Sequence, residues 1–155
     1  MVSSPLFPLP EDLSEMRSHL EAAYPNEGCG LILEGPTPGR FQIRPMRNVY
    51  DRYHERDPER FPRTSRTAYL FDPKEWMEVS EKAEAEGATV RCIFHSHGDV
   101  GAYFSAEDQA MAAPDGEPLF PELVYLVVAV DAGKVTGGKL FLWNGQTFQE
   151  HPAWV

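Results

Sequence analysis

The segment FHSHGDVGAYFSAED, Phe94 to Asp108, places two histidines one residue apart, a serine eight positions after the second, and an aspartate three beyond the serine. In an extended strand successive side chains point to opposite faces, so His95 and His97 share one face while Phe94 and Ser96 take the other. Two imidazoles converging from one strand suit zinc, which takes three protein ligands in a catalytic site and keeps a fourth position open to water. Asp108, returned by the loop from Gly98 to Phe104 onto a new helix, is a carboxylate available as the third ligand.

A plainer reading fits the same residues. SAED matches a capping box, with Ser105 accepting a backbone amide and Asp108 at the third helical position. The two readings are compatible, because a capping serine keeps its hydroxyl hydrogen and the aspartate can still turn to a metal. Hydrolysis at such a metal also needs a base for the proton of water and a donor for the developing oxyanion. Ser105 is a candidate donor. The candidate base is Glu27 in YPNEGCGLIL, although a glutamate there also reads as an ordinary surface carboxylate. Its neighbours Gly28 and Gly30 suggest a tight backbone turn.

The elements that must position these residues follow from period and punctuation. EDLSEMRSHLEAAY sets Leu13, Met16, Leu20 and Ala23 on one helical stripe, with Pro10 before it and Pro25 after. GCGLILEG and RFQIRPM read as strands joined by the turn-rich GPTPG. Residues 48–66, with Pro58 and Pro62, show no period and read as a long Arg-rich insertion loop. AYLFD reads as a strand, and PKEWMEVSEKAEAEG as a helix capped by Asp72 and closed by Gly87. TVRCIFHSH and LVYLVVAV are strands, and KLFLWNGQTFQE is a hairpin around Asn144 and Gly145. The expectation is one α/β domain over residues 1–155, a mixed curved sheet flanked by helices.

Composition narrows the function classes. With 155 residues, 42% of them hydrophobic, the chain suits one globular core. The formal net charge is -10, yet eight arginines between Arg40 and Arg66 face only four acids, Asp51, Glu55, Asp57 and Glu59. An acidic body argues against nucleic acid, which needs a broad cationic face. The arginine strip either pairs with its own acids as a solvated loop or docks an acidic protein. Cys29 and Cys92 sit in apolar runs without a CxxC pair and read as reduced core residues. His54 and His151 read as exposed. No segment has signal-peptide or transmembrane character, so the expectation is a soluble cytoplasmic protein.

Other hydrolase types fail on specific grounds. A His-x-His barrel enzyme needs more chain than this. The deaminase signature and HExxH are absent. Neither Ser96 nor Ser105 has the elbow glycines of a serine hydrolase.

HSHGDVGAYFSAED together with PNEGCG upstream closely resembles the JAMM (MPN-plus) zinc metalloproteases, in particular their short prokaryotic members. The resemblance runs from the first helix through LVYLVVAV. It implies that His95, His97 and Asp108 bind one Zn2+ with water as fourth ligand, that Glu27 is the general base and that Ser105 stabilises the oxyanion. It also implies a partner: a ubiquitin-like or sulfur-carrier protein whose chain is cut after its C-terminal Gly-Gly, the tail lying in a groove as an added strand. The alternative is a non-catalytic scaffold or binding module on the same fold. Gly98, Tyr103 and Phe104 stand where relatives commonly carry prolines, which puts the groove, rather than the metal site, in question.

Overall fold

The computed structural model describes residues 9–155. CGLILE carries no polar residue before Glu34, as a strand covered on both sides requires, and Cys29–Glu34 forms β1. β2 (Phe41–Met46) pairs antiparallel with one side of β1, and β3 (Thr89–Gly98) with the other. β4 (Val124–Asp131) runs parallel to β3, and the hairpin of β5 (Lys134–Trp143) and β6 (Phe148–Ala153) extends that edge. The result is one six-stranded mixed sheet in the order β2-β1-β3-β4-β5-β6. Helices α1 (Ser14–Ala23), α2 (Tyr50–Arg56), α3 (Pro73–Glu86) and α4 (Ala106–Ala112) surround it.

Strand alternation divides the core in two. Ile32, Cys92, Phe94, Leu126 and Val128 face Leu13 and the Met16 and Leu20 side chains of α1. The opposite face carries Leu31, Ile93, Tyr125 and Val127, packed with Val79 and Ala83 of α3 and Ala112 of α4. Each fully buried side chain of this size contributes roughly 1.5–3 kcal/mol over an exposed one. His95 and His97 therefore emerge on the face covered by α3 and α4. The parallel β3–β4 pair demands a crossover, and α4 with Asp108 lies within it.

Gly28 and Gly30 serve close packing, and neither has a positive φ. A Cβ on Gly30 would lie 2.3 Å from the Phe94 ring and 2.7 Å from the Arg44 carbonyl oxygen, and one on Gly28 2.8 Å from Leu20. The expected turn is thus a close approach of backbone to core.

Three further expectations are corrected. Residues 48–66 are not all loop. α2 lies there, with Tyr50 and Tyr53 against the Phe61 ring at centroid distances of 5.9 and 5.2 Å. AYLFD forms no strand beyond a single bridge between Asn48 and Phe71. His54 and His151 are half-buried, and Nδ1 of His54 lies 2.7 Å from the Phe61 carbonyl oxygen. The arginines also pair outside their own segment: Arg44 with Glu75, Arg47 and Arg52 with Asp72, Arg63 with Glu107. Cys29 and Cys92 are free and buried on opposite faces of the sheet, and burial pushes both thiols up. Among the described residues, no helix is long and apolar enough to cross a membrane.

Candidate metal centre

Nε2 of His95, Nε2 of His97 and Oδ2 of Asp108 form a triangle with every edge 3.2 Å. Ligands 2.0–2.1 Å from a tetrahedral zinc stand roughly 3.3–3.4 Å from one another, so the triangle has the size of one face of such a site. Its proton inventory points the same way. Nδ1 of His97 lies 3.2 Å from the Gly101 carbonyl oxygen, which only accepts, so Nδ1 carries the hydrogen and Nε2 of the neutral ring presents a lone pair. Burial lowers the pKa of His95 and favours its neutral form. Burial opposes ionisation of Asp108, but the His95 and His97 rings and the Ser105 amide hold its carboxyl well below the usual range. Nδ1 of His95 is buried without a partner, so in the metal-free chain a hydrogen on its Nε2 can reach Oδ2 of Asp108; with that hydrogen on Nδ1 instead, the three atoms present lone pairs to one point, which a cation satisfies.

Glu27 completes the cluster. One donor atom from each of Glu27, His95, His97 and Asp108 lies within 4.8 Å of the others, and all four residues are buried. Oε2 of Glu27 is 3.9 Å from Nε2 of His97, while Oε1 is buried without a hydrogen-bond partner. Burial first, and the charge of Asp108 second, push the Glu27 carboxyl up to about 9. Its backbone is fixed on both sides: Glu27 N–H donates to the Ser65 carbonyl oxygen at 2.7 Å, and its carbonyl accepts from Nδ2 of Asn48 at 2.9 Å. The Gly28 amide donates to Oγ of Ser96 at 2.8 Å, which ties this junction to β3 between the two histidines.

The capping box forms as well. Oγ of Ser105 accepts from the Asp108 amide, and Oδ2 of Asp108 accepts from the Ser105 amide, both at 3.0 Å. The oxygen that closes the box is the one facing both histidines. Helix start and donor triangle therefore use the same carboxylate, and Ser105 retains its hydroxyl hydrogen for a further acceptor.

A groove of about 310 Å³ opens over Glu27, His97 and Ser105, with Arg63 and Arg66 along it. Gly98 and Tyr103 also line it, the Tyr103 ring edge-on to His97 at 4.8 Å. Phe104 turns inward and stacks on Phe141 at 5.0 Å. On the inner side, Tyr69 stacks on His95 with centroids 4.4 Å apart. The sequence carried no signal for Tyr69, Asn48 or Ser65, since each acts through a contact distant along the chain.

A mixed sheet whose β3 carries two histidines, met by an aspartate from α4 and a glutamate just before β1 in one buried cluster, defines a class, and the comparisons agree with it. The chain belongs to the prokaryotic homologs of the JAB domain, whose family model matches residues 10–144. It is 29% identical over 140 residues to a desampylase of Haloferax volcanii, covering 89% of this chain and 84% of that protein. The fold is similar to a solution structure from Desulfitobacterium hafniense, with TM-score 0.65 and 25% identity over 90% of this chain and 85% of the other. It is also similar to one from Salinibacter ruber, with TM-score 0.59 and 25% identity over 95% and 88% of the two chains.

Proposed function

We propose that this chain is a zinc-dependent peptidase that hydrolyses the amide bond following the C-terminal Gly-Gly of a ubiquitin-like or sulfur-carrier protein. The observation that carries the reading is the 3.2 Å triangle of His95, His97 and Asp108 with the Glu27 carboxyl beside it. The similarity to a desampylase supports an isopeptidase or peptidase of this family.

His95, His97 and Asp108 would hold one Zn2+. When bound, zinc supplies Lewis acidity, lowering the pKa of a water to about 7 and polarising a carbonyl. The carboxyl of Glu27, held protonated by burial in the metal-free chain, would ionise beside the positive charge of a bound Zn2+, and Glu27 would then take a proton from the attacking water through its unpartnered Oε1 and pass it to the leaving nitrogen. Its burial keeps that oxygen free of competing donors. The Ser105 hydroxyl donates to the carbonyl oxygen as negative charge develops there. Tyr103 and Arg63 flank the groove in which the tail lies, and glycines at the end of the tail leave the approach to His97 unobstructed.

A scaffold role fits the same fold less well. A carboxyl oxygen buried without a partner costs stability, and a chain used only for binding gains nothing from it. Two measurements decide. Protein purified without chelator should carry about one zinc per chain, and Glu27→Gln should keep that zinc while abolishing cleavage of a ubiquitin-like protein extended beyond Gly-Gly. A zinc-free but folded wild type, or a Glu27→Gln variant as fast as wild type, would overturn the reading.

A further inference from the structure

We infer that Tyr69 is the positioning residue of His95: the flat face of its ring, rather than a hydrogen-bond acceptor, sets the rotation of the imidazole that aims Nε2 at the donor triangle. The inference rests on the metal-centre reading and concerns the inner side of His95, outside the groove.

The two histidines are held by different means. His97 has an acceptor for its second nitrogen, the Gly101 carbonyl oxygen 3.2 Å from Nδ1. Histidines that ligate metals almost always have such a partner, which fixes both the tautomer and the rotation of the ring. His95 has none, since its Nδ1 is buried with no hydrogen-bond partner among the described residues. Its polar contacts, to Nε2 of His97 and Oδ2 of Asp108, both fall on Nε2 at 3.2 Å. A hydrogen bond from Nε2 to Asp108 is given up when that nitrogen turns its lone pair to a cation, and then no hydrogen bond opposes rotation about Cβ–Cγ.

Tyr69 supplies the opposition. Its ring lies 24° from parallel to the imidazole, with centroids 4.4 Å apart. Aromatic pairs have centroid separations of about 4.5–7 Å, so this close face contact leaves no room for the imidazole to turn edge-on. The backbone on each side of Tyr69 is anchored in turn. Nδ2 of Asn48 donates to the Ala68 carbonyl at 2.9 Å, and its Oδ1 accepts from the Leu70 amide at 3.1 Å. The Leu70 carbonyl accepts from the Val49 amide at 2.9 Å. Because Nδ2 of Asn48 also donates to the Glu27 carbonyl, one side chain references both the base and the ring that backs a ligand. Tyr69 also lines a cavity of about 370 Å³, together with Phe71, Trp76, Met111, Leu119 and Phe120. A smaller or rounder side chain at position 69 would leave the His95 ring facing that apolar space.

The test measures binding of Zn2+ and Co2+ themselves to the full chain. Tyr69→Phe keeps the ring and should bind zinc as tightly as wild type. Tyr69→Leu keeps an apolar side chain without the flat face and should bind zinc roughly tenfold more weakly, chiefly through faster dissociation. Its Co2+ absorption bands should shift and broaden as the coordination geometry loosens. Val79→Ala, in the same core cluster but on α3, controls for a general loss of stability and should leave affinity and spectrum unchanged. Wild-type zinc affinity in Tyr69→Leu, or an equal loss in Val79→Ala, would overturn the inference alone. A Tyr69→Phe as weak as Tyr69→Leu would assign the effect to the hydroxyl and overturn the role of the ring. Should Tyr69→Leu not fold, carbon relaxation of the imidazoles in metal-free wild type decides: a His95 ring as rigid as that of His97 supports the inference, and a reorienting one overturns it. A folded wild type that binds neither metal would overturn the metal-centre reading and this inference together.

Discussion

The carboxylate of Glu27 stops 3.9 Å from Nε2 of His97 with one of its oxygens buried and unpartnered. In the metal-free chain this position has a pH signature. Burial, followed by the charge of Asp108, raises the carboxyl from 4.5 to about 9. Below the unfolded value both states hold the proton. As pH climbs from about 4.5 toward 9, the unfolded chain releases it and the folded chain keeps it, so stability falls across that window. Chelator-treated Glu27→Gln should lose this slope, which is ~1.4 kcal/mol for each pH unit inside the window, matching wild type near pH 4 and exceeding it near pH 8 by several kcal/mol. Urea unfolding across that range measures it, and parallel curves for the two proteins would contradict a buried, unpaired carboxyl.

Asp108→Asn separates the two tasks of one side chain. Asparagine still accepts from the Ser105 amide, so α4 keeps its start, but the negative ligand is gone. The expected result is a melting temperature within a few degrees of wild type in the metal-free state, with zinc affinity reduced by roughly 100-fold or more. Competition against a chromophoric chelator reports the affinity. Unchanged affinity would remove Asp108 from the ligand set.

Ser105→Ala removes both a cap and a donor. Loss of the cap should cost about 1 kcal/mol, whereas loss of the hydroxyl donor should lower kcat by roughly 100-fold with little change in KM. Ser105→Thr restores the cap and should restore much of kcat. Kinetics beside thermal unfolding resolve the two effects, and a stability loss without a fall in kcat would leave Ser105 as a cap alone.

Asn48 is expected to govern the site from a distance. Its Nδ2 donates to the carbonyls of Glu27 and Ala68, and its Oδ1 accepts from the Tyr50 and Leu70 amides, all between 2.9 and 3.1 Å. Asn48→Ala strips four partners at once and should destabilise by roughly 3 kcal/mol. At a temperature where the variant is folded, kcat should fall while zinc stoichiometry stays at one per chain. A variant with normal kcat would show that Glu27 is held without this bridge.

The sequence by itself determined what depends on short spacing. Alternation along TVRCIFHSH put both histidines on one face, the Ser105 to Asp108 offset specified a capping box, and the apolar run of β1 specified a strand covered on both sides. It did not reveal α2, because YDRYHER is only seven residues long and its aromatic pair gains a partner only when Phe61 folds back on it. AYLFD has the residues of a strand, yet its backbone partners are Asn48 and Val49 rather than a sheet edge, and that is a matter of chain path. The tertiary structure alone decided that Glu27 faces His97, that Tyr69 covers His95 and that Arg63 reaches α4 while Arg47 reaches α3. Local periodicity fixes the direction of a side chain relative to its own element. Which distant side chain it meets is set by strand order and by the crossover between β3 and β4, where the cost of closing long loops is offset by the shared core.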